Sequence, residues 1–134
     1  MTKRILVPYD GSACADEAVA KAIELAGREG SSLYLLALGP ADDTTTDSPL
    51  PLRASLTDDL ITFARMGAKL GIDIDGSYLA APTVALLHAV IETHHVDRVL
   101  MVRGGNASGR TRLLDALADD CPVPVTVLAA ESTA

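Results

Sequence analysis

Arg4-Ile5-Leu6-Val7-Pro8-Tyr9-Asp10-Gly11-Ser12 is a short apolar run that stops at a turn. The run from Arg4 to Pro8 is typical of a buried strand, and Asp10-Gly11-Ser12 predicts the turn that ends it. Ser12 can cap a helix that follows directly. The apolar positions of that helix recur at helical spacing until Gly30 stops it: Ala15, Val19, Ala22, Ile23 and Ala26. The opening of the chain is therefore a strand–turn–helix unit.

The same alternation continues along the chain. Further strands are predicted at residues 33–38, 72–79, 96–102 and 123–128, and further helices at 55–70, from Pro82 onward and at 111–120. Alternating strands and helices predict a doubly wound α/β layer with parallel strands and right-handed crossovers. Pro124 has no N–H to donate, so the last strand is expected at an edge of the sheet.

Length and composition limit the chain to one domain, residues 1–134, with an aliphatic core. The chain has 134 residues, 49% of them hydrophobic and only 3% aromatic. Such a profile suits a parallel sheet covered by helices on both faces. Residues 41–54, rich in Asp, Thr, Ser and Pro, are expected to form a mobile loop inside this domain.

The charge of the chain argues against a nucleic-acid partner. The formal net charge is −7, and an acidic chain repels a phosphate backbone. Scarce aromatic residues also make a poor platform for stacking bases. The amino-terminal residues show no secretory signal, and no apolar run is long enough to span a bilayer. We therefore expect a cytosolic protein with no membrane insertion.

Neither a metal site nor a catalytic site is predicted. Cys14 and Cys121 are far apart and form no C-x-x-C pair, which argues against a disulfide scaffold and a zinc site. His94 and His95 are adjacent and point apart on a helix, and His88 has no acid or nucleophile near it in sequence. There is no G-x-S-x-G motif, so Ser12 is expected to cap a helix and not to act as a nucleophile. We expect no enzyme activity, with slow ATP hydrolysis left open.

A ligand site is expected where the order of the strands reverses, beyond their carboxyl ends. The turn after the first strand and the glycine-rich segment from Arg103 to Thr111 both point to this crevice. Glycines let backbone N–H groups approach an anion, a helix follows, and Arg103, Arg110 and Arg112 lie in or beside the loop. The alternative is an ordinary strand-to-helix turn whose glycines serve geometry alone. The segment is neither a Walker A motif nor a dinucleotide fingerprint.

Three segments of the chain resemble the universal stress protein family. Residues 5–12, Ile-Leu-Val-Pro-Tyr-Asp-Gly-Ser, are similar to the family's opening strand and turn. Residues 97–102 are similar to its fourth strand, and Cys121-Pro122-Val123-Pro124-Val125 resembles its closing strand. The order and lengths of the other elements agree as well, so the resemblance covers nearly the whole chain.

The resemblance implies a three-layer α/β fold of the adenine-nucleotide alpha-hydrolase-like type. Its five mainly parallel strands would lie in the order 3-2-1-4-5 with four helices. It also implies a homodimer formed through the last strand, for which we expect an interface containing Val123, Val125 and Val127. Family members serve in stress responses, and many bind ATP in the crevice described above.

The resemblance can be carried to individual residues of the phosphate loop, which reads G-x2-G-x9-G-[ST] in ATP-binding members. Matching Arg112-Leu113-Leu114 to the apolar stretch before the last glycine puts Val102, Gly105, Asp115 and Ala116 at the four pattern positions. Only Gly105 keeps the family's residue. Val102 would crowd the backbone, Asp115 would repel phosphates where it is not paired, and Ala116 removes a hydroxyl donor. The sequence thus indicates a degenerate loop.

Other residues of the crevice match the family better. Asp10 matches the acid that contacts ribose, and Leu38 matches the residue whose backbone meets adenine; both also fit structural roles, as a turn former and a core residue. The expected nucleotide or anion site is Pro8, Asp10, Leu38, Val102, Gly104, Gly105, Ser108, Gly109 and Arg110.

Three functions remain after this comparison. The first is a homodimeric universal-stress-type protein acting through protein contacts or through weak binding of a small anion or nucleotide. The second is a genuine ATP- or AMP-binding member with a variant phosphate loop. The third is a nucleotide-dependent transferase of related architecture, for which no residue can be nominated as base or nucleophile. No cofactor is certain, and ATP or AMP is the candidate.

Overall fold

The structure is a computed structural model that describes residues 3–39, 50–80, 82–103 and 109–129. Strands and helices alternate without exception in these ranges. Their order is β1 (Arg4–Tyr9), α1 (Ala13–Glu29), β2 (Ser32–Leu38), α2 (Leu50–Leu70), β3 (Ile74–Leu79), α3 (Val84–Thr93), β4 (Arg98–Arg103), α4 (Gly109–Asp119) and β5 (Val125–Ala129).

The five strands form one sheet in the order β3-β2-β1-β4-β5, which confirms the predicted fold class. Every pairing is parallel. Arg4 pairs with Ser32 between β1 and β2, while Ile5 pairs with Arg98 between β1 and β4. The predicted edge position of the last strand is confirmed, because β5 pairs only with β4. The carbonyl oxygen of Pro124, just before β5, accepts the N–H of Val99 at 3.0 Å. Pro124 is only an acceptor in this bond, so its missing N–H does not affect it.

The sheet is buried on both faces because successive residues of a strand point to opposite sides. In β1, Ile5, Val7 and Tyr9 face α1 and α2. Leu6 faces the other layer, where it packs with residues of α3 and α4 such as Leu87 and Leu117. This alternation explains why β1 and β2 read as continuous apolar runs: both of their faces are inside.

The predicted ends of α1 are confirmed. Ser12 is the N-cap, and its Oγ accepts the N–H of Ala15 at 3.1 Å. Gly30 ends the helix in the left-handed region at φ 70°, and its N–H bonds to the carbonyl of Ala26 at 2.8 Å. Gly71 has the same conformation after α2, at φ 75°. Glycine fits both positions because a side chain disfavours positive φ.

The start of α2 differs from the prediction. The helix begins at Leu50 and not at Ser55, so the expected loop of residues 41–54 is helical from residue 50, and residues 41–49 lie outside the described ranges. Pro51 explains the difference. A proline in the first helical turn loses no bond, because the N–H groups there have no partner inside the helix. Ser55, the predicted first residue of this helix, lies within it.

Two further helix starts differ by a few residues. The third helix begins at Val84 after the N-cap Thr83, whose Oγ1 accepts the Leu86 N–H at 3.1 Å. Pro82, predicted as a first-turn residue, therefore precedes the cap. The fourth helix begins at Gly109 and not at Thr111. This second difference shortens the connection from β4 to residues 104–108.

Candidate functional site

The strand order reverses between β1 and β4, so this is where a doubly wound sheet forms its crevice. From β1 the chain moves outward to β2 and β3, and then returns to the other side of β1 with β4 and β5. Helices α1 and α4 begin at the carboxyl ends of these two central strands. Their unpaired N–H groups and positive dipole ends favour an anion in the crevice.

The turn after β1 is held by its own side chains. Oδ1 of Asp10 accepts the N–H of Ser12 at 2.9 Å, and Gly11 has φ 82°. The second carboxylate oxygen of Asp10 has no hydrogen bond among the described residues, and the side chain is half-buried. Asp10 therefore acts as a turn former, and it keeps one oxygen that can accept a hydrogen bond from a hydroxyl ligand.

Three predicted site residues belong to the core. Leu38 is fully buried, Val102 is 8% exposed, and Pro8 is buried in β1. Leu38 packs in the layer of α3 and α4, and Val102 packs in the layer of α1 and α2. Such residues can offer a ligand their backbone groups but little of their side chains. Leu38 fits the backbone role that the resemblance implies.

The glycine-rich loop is described only at its ends. Gly104, Gly105 and Ser108 lie outside the described residues, whereas Gly109 and Arg110 are the first two residues of α4. The side chain of Arg110 is also outside the description. The connection between β4 and α4 consists of residues 104–108 alone, so only three residues separate Gly105 from Gly109.

Asp115 and Ala116, which the sequence comparison puts at pattern positions, lie inside helix α4. Both lie in the second turn of α4 and not at its amino end. A residue that meets a phosphate at a helix start has to lie in the first turn, where N–H groups are unpaired. Gly109 is the residue in that position. Asp115 and Ala116 are therefore too far along α4 for their N–H groups to meet an anion at its start.

A tyrosine hydroxyl links α1 and α2 beside the crevice. Tyr9, the last residue of β1, has its Oη 2.9 Å from Oδ1 of Asp16 and 2.9 Å from Oδ2 of Asp59. Its ring packs edge-to-face on Phe63 at 5.5 Å between centroids. Burial, and then the two carboxylates, raise the pKa of Tyr9 far above its usual value. Sequence patterns could not reveal this cluster, because its carboxylates come from two different helices.

The three histidines have separate surroundings. Nε2 of His88 contacts the carbonyl oxygen of Asp120 at 2.5 Å, and His94 stacks on Tyr34 with 4.2 Å between ring centroids. His95 has φ 54°, in the left-handed region. Within residues 3–39, 50–80, 82–103 and 109–129, no cluster of three or more His, Cys, Asp or Glu side chains could hold a metal ion. No helix in the same ranges is long and apolar enough to cross a bilayer.

The sheet order, the helices on both faces and the crevice at the β1/β4 reversal define a doubly wound α/β protein of the nucleotide-binding type. The model of the universal stress protein family matches residues 1–129. The chain therefore belongs to the universal stress protein family. The comparison with curated proteins found no match.

Solved structures with the same fold cover nearly the whole chain. One is the hypothetical protein MJ0577, with a TM-score of 0.77, 15% identity and 99% of both chains covered. A universal stress family protein from Burkholderia pseudomallei has a TM-score of 0.69, 22% identity and 96% of both chains covered. A family protein from Arabidopsis thaliana with AMP bound has a TM-score of 0.68 and 12% identity, covering 97% of this chain and 93% of its own.

Proposed function

We propose that this member of the family acts as a homodimer whose nucleotide crevice is degenerate. It would serve the stress response in the cytosol through protein contacts, or through weak binding of a small anion or nucleotide. We propose no catalytic role, because the described residues offer no base and nucleophile in contact at the crevice.

The length of the phosphate loop is the observation that carries this proposal. The β4 strand ends at Arg103 and α4 begins at Gly109. We place the family's last glycine on Gly109 and its hydroxyl position on Arg110, so three residues separate Gly109 from Gly105 where the family's pattern has nine. Such a short loop offers fewer backbone N–H groups to a triphosphate. Val102 stands where the pattern has its first glycine, and its side chain packs in the layer of α1 and α2.

The two outer strands differ in a way that supports dimerisation through β5. On β3, Asp75, Gly76 and Ser77 are exposed, and polar residues protect an edge strand from pairing. On β5, Val127 is 42% exposed, and Val125 is only half-buried. An apolar edge strand is a natural surface for a second copy of the chain. The predicted interface of Val123, Val125 and Val127 is therefore retained as part of the proposal.

Calorimetric titration with ATP and Mg²⁺ tests the state of the crevice. We expect no saturation with the wild-type protein at low millimolar ATP. A variant with an insertion between Gly105 and Gly109 that restores the family's spacing, combined with Arg110→Ser, should gain saturable binding. The same variant with Asp10→Asn is the matched control and should lose most of that gain. Saturation of the wild-type protein at micromolar ATP would contradict the proposal.

A second function, genuine binding of AMP or ATP, is favoured by one comparison. The Arabidopsis thaliana structure with AMP bound has the same fold. AMP needs only a site for adenine, ribose and one phosphate, and Asp10 keeps a free carboxylate oxygen for a ribose hydroxyl. Titration with AMP alone separates the two proposals: micromolar AMP binding that Asp10→Asn abolishes would support the second.

A further inference from the structure

A pocket of about 480 Å³ lies at the amino-terminal edge of the sheet, across the molecule from the crevice. It opens where β1 and β2 begin and where α1, α2 and α3 end. We call it the amino-edge pocket. Its polar lining residues are Arg4, Ser31, Ser32, Asp73, His94 and His95. Gly27, Gly30 and Gly71 also line it, and their missing side chains leave the space open.

One half of the amino-edge pocket is basic. The guanidinium of Arg4 makes two long hydrogen bonds, from Nε to Oγ of Ser32 at 3.4 Å and from Nη1 to the carbonyl of His94 at 3.2 Å. The Asp97 carboxylate accepts the backbone N–H of Arg4 at 2.9 Å, but the Arg4 guanidinium has no carboxylate partner among the described residues, and its other N–H groups are unused there. His94 and His95 also line the pocket, with the His94 ring stacked on Tyr34. A carboxylate is the group that best satisfies a guanidinium with unused donors.

The other half is acidic. The side chain of Asp73 is exposed and has no ion pair or hydrogen bond with any described residue. Helices α1 and α2 end beside it at Gly30 and Gly71, and helix carboxyl ends favour a positive group. An ammonium group is therefore the natural ligand of this half.

The two halves are held apart by β2. Arg4 pairs with Ser32 on one side, and Leu33 pairs with Ile74 on the other, so Asp73 enters the sheet two strands from Arg4. Two strand spacings separate the backbones of Arg4 and Asp73 by about 10 Å. The two opposite charges line one pocket without neutralising each other.

Ser31 adds a buried hydroxyl to the lining residues. Ser31 lines the pocket, is only 5% exposed, and its Oγ has no hydrogen-bond partner in the part of the chain that the structure describes. A buried hydroxyl without a partner is costly and calls for an explanation. Rotation of the Ser31 side chain about χ1 would let its hydroxyl bond to a peptide or amide group lying across the pocket.

We propose that the amino-edge pocket binds a small zwitterion of the short-peptide class. Its carboxylate lies on Arg4, its ammonium lies on Asp73 and the ends of α1 and α2, and its polar middle passes over Ser31. The site is separate from the nucleotide crevice and does not depend on ATP or AMP binding there.

Glycylglycine is the probe, followed by backbone amide chemical shifts of the wild-type protein. We expect saturable shifts at Ser31, Ser32 and Asp73, with Gly11 and Gly39 at the opposite edge unchanged. N-acetylglycylglycine lacks the ammonium, and glycylglycine amide lacks the carboxylate. Each should bind about tenfold more weakly than glycylglycine, since each loses one charged hydrogen-bonded end.

Two substitutions test which end of the ligand lies on which side chain. Asp73→Asn should weaken the binding of glycylglycine about tenfold and leave the binding of N-acetylglycylglycine unchanged, because only the ammonium end of the ligand is affected. Arg4→Gln should weaken the binding of glycylglycine and of N-acetylglycylglycine, and it should leave the binding of glycylglycine amide unchanged. Asp75→Asn, an exposed carboxylate on β3 that does not line the pocket, is the matched control and should have no effect. Absence of saturable shifts, or equal binding of the three probes, overturns the proposal.

Discussion

Tyr9 holds two helices together through a single hydroxyl. A phenol has one proton, so it cannot donate to Asp16 and Asp59 at the same time. Tyr9→Phe should lower the free energy of unfolding by about 1–2 kcal/mol, because both carboxylates lose the hydroxyl that they share. Asp59→Asn should leave stability unchanged or raise it by about 0.5 kcal/mol, because an amide can donate to the phenol oxygen while the phenol donates to Asp16.

Urea unfolding at pH 7 measures both effects, with the exposed neighbour Asp58→Asn as the control for loss of one negative charge. The pH profile adds a second readout. The raised pKa of Tyr9 keeps its phenol protonated in the native state, so its stabilisation is complete below the unfolded value of 10.0 and falls as the pH rises above it. In the Tyr9→Phe variant, this decrease in the free energy of unfolding at alkaline pH should be absent. Wild-type stability and an unchanged pH profile in this variant would contradict the role.

At the residue scale the sequence predicted turn and cap residues well and contact residues poorly. Ser12 and Gly30 were predictable because each acts through its own backbone or that of near neighbours. The partners of Tyr9 and Arg4 were not, because Asp59 and His94 are brought to them only by the folded sheet. Interactions between residues close in sequence can be predicted from the sequence, whereas contacts between distant residues require the strand order.

At the element scale the packing of α2 on β3 depends on a helical glycine. A Cβ at Gly67 would lie 2.7 Å from the carbonyl oxygen of Ile72 and would overlap the side chain of Ile74. Gly67→Ala should therefore destabilise the protein by about 1–3 kcal/mol, since the helix has to move away from the strand. A lower midpoint in urea, with an unchanged slope, is the expected measurement.

Gly27 in α1 provides the matched control. A Cβ there would meet only the Cδ1 of Ile72, at 3.8 Å, which is ordinary contact. Gly27→Ala should raise stability by about 0.5–1 kcal/mol, because alanine loses less backbone entropy in a helix. Opposite signs for the same substitution in two helices would establish close packing at Gly67. Two equal effects would contradict it.

Element types were predictable, and element boundaries less so. All nine elements follow from apolar runs and helical spacing. The starts of α2 and α4 were misplaced because Pro51 and Gly109 were taken as loop residues. Both residue types are tolerated in a first turn, where no intrahelical N–H bond is lost. The start of α4 also decides which residues offer unpaired N–H groups at the crevice, so this boundary affects the interpretation of the site.

At the scale of the whole molecule, the sheet has two unlike edges. Alternating strands predicted parallel pairing, but the order β3-β2-β1-β4-β5 came from the family resemblance, since periodicity does not specify which strands are neighbours. That order leaves polar β3 at one edge and apolar β5 at the other. An exposed apolar edge strand is a surface on which another chain can pair.

We expect light scattering to give the mass of a dimer for the wild-type protein. Val127→Lys should raise the dimer dissociation constant by at least about tenfold, because a lysine ammonium would lose its water at the interface. Met66→Lys on α2 is the matched control, since both side chains are 42% exposed and only Val127 lies on the edge strand. A monomeric wild-type protein would remove β5 as the interface. Equal weakening by both variants would show that added positive charge, and not the edge strand, controls assembly.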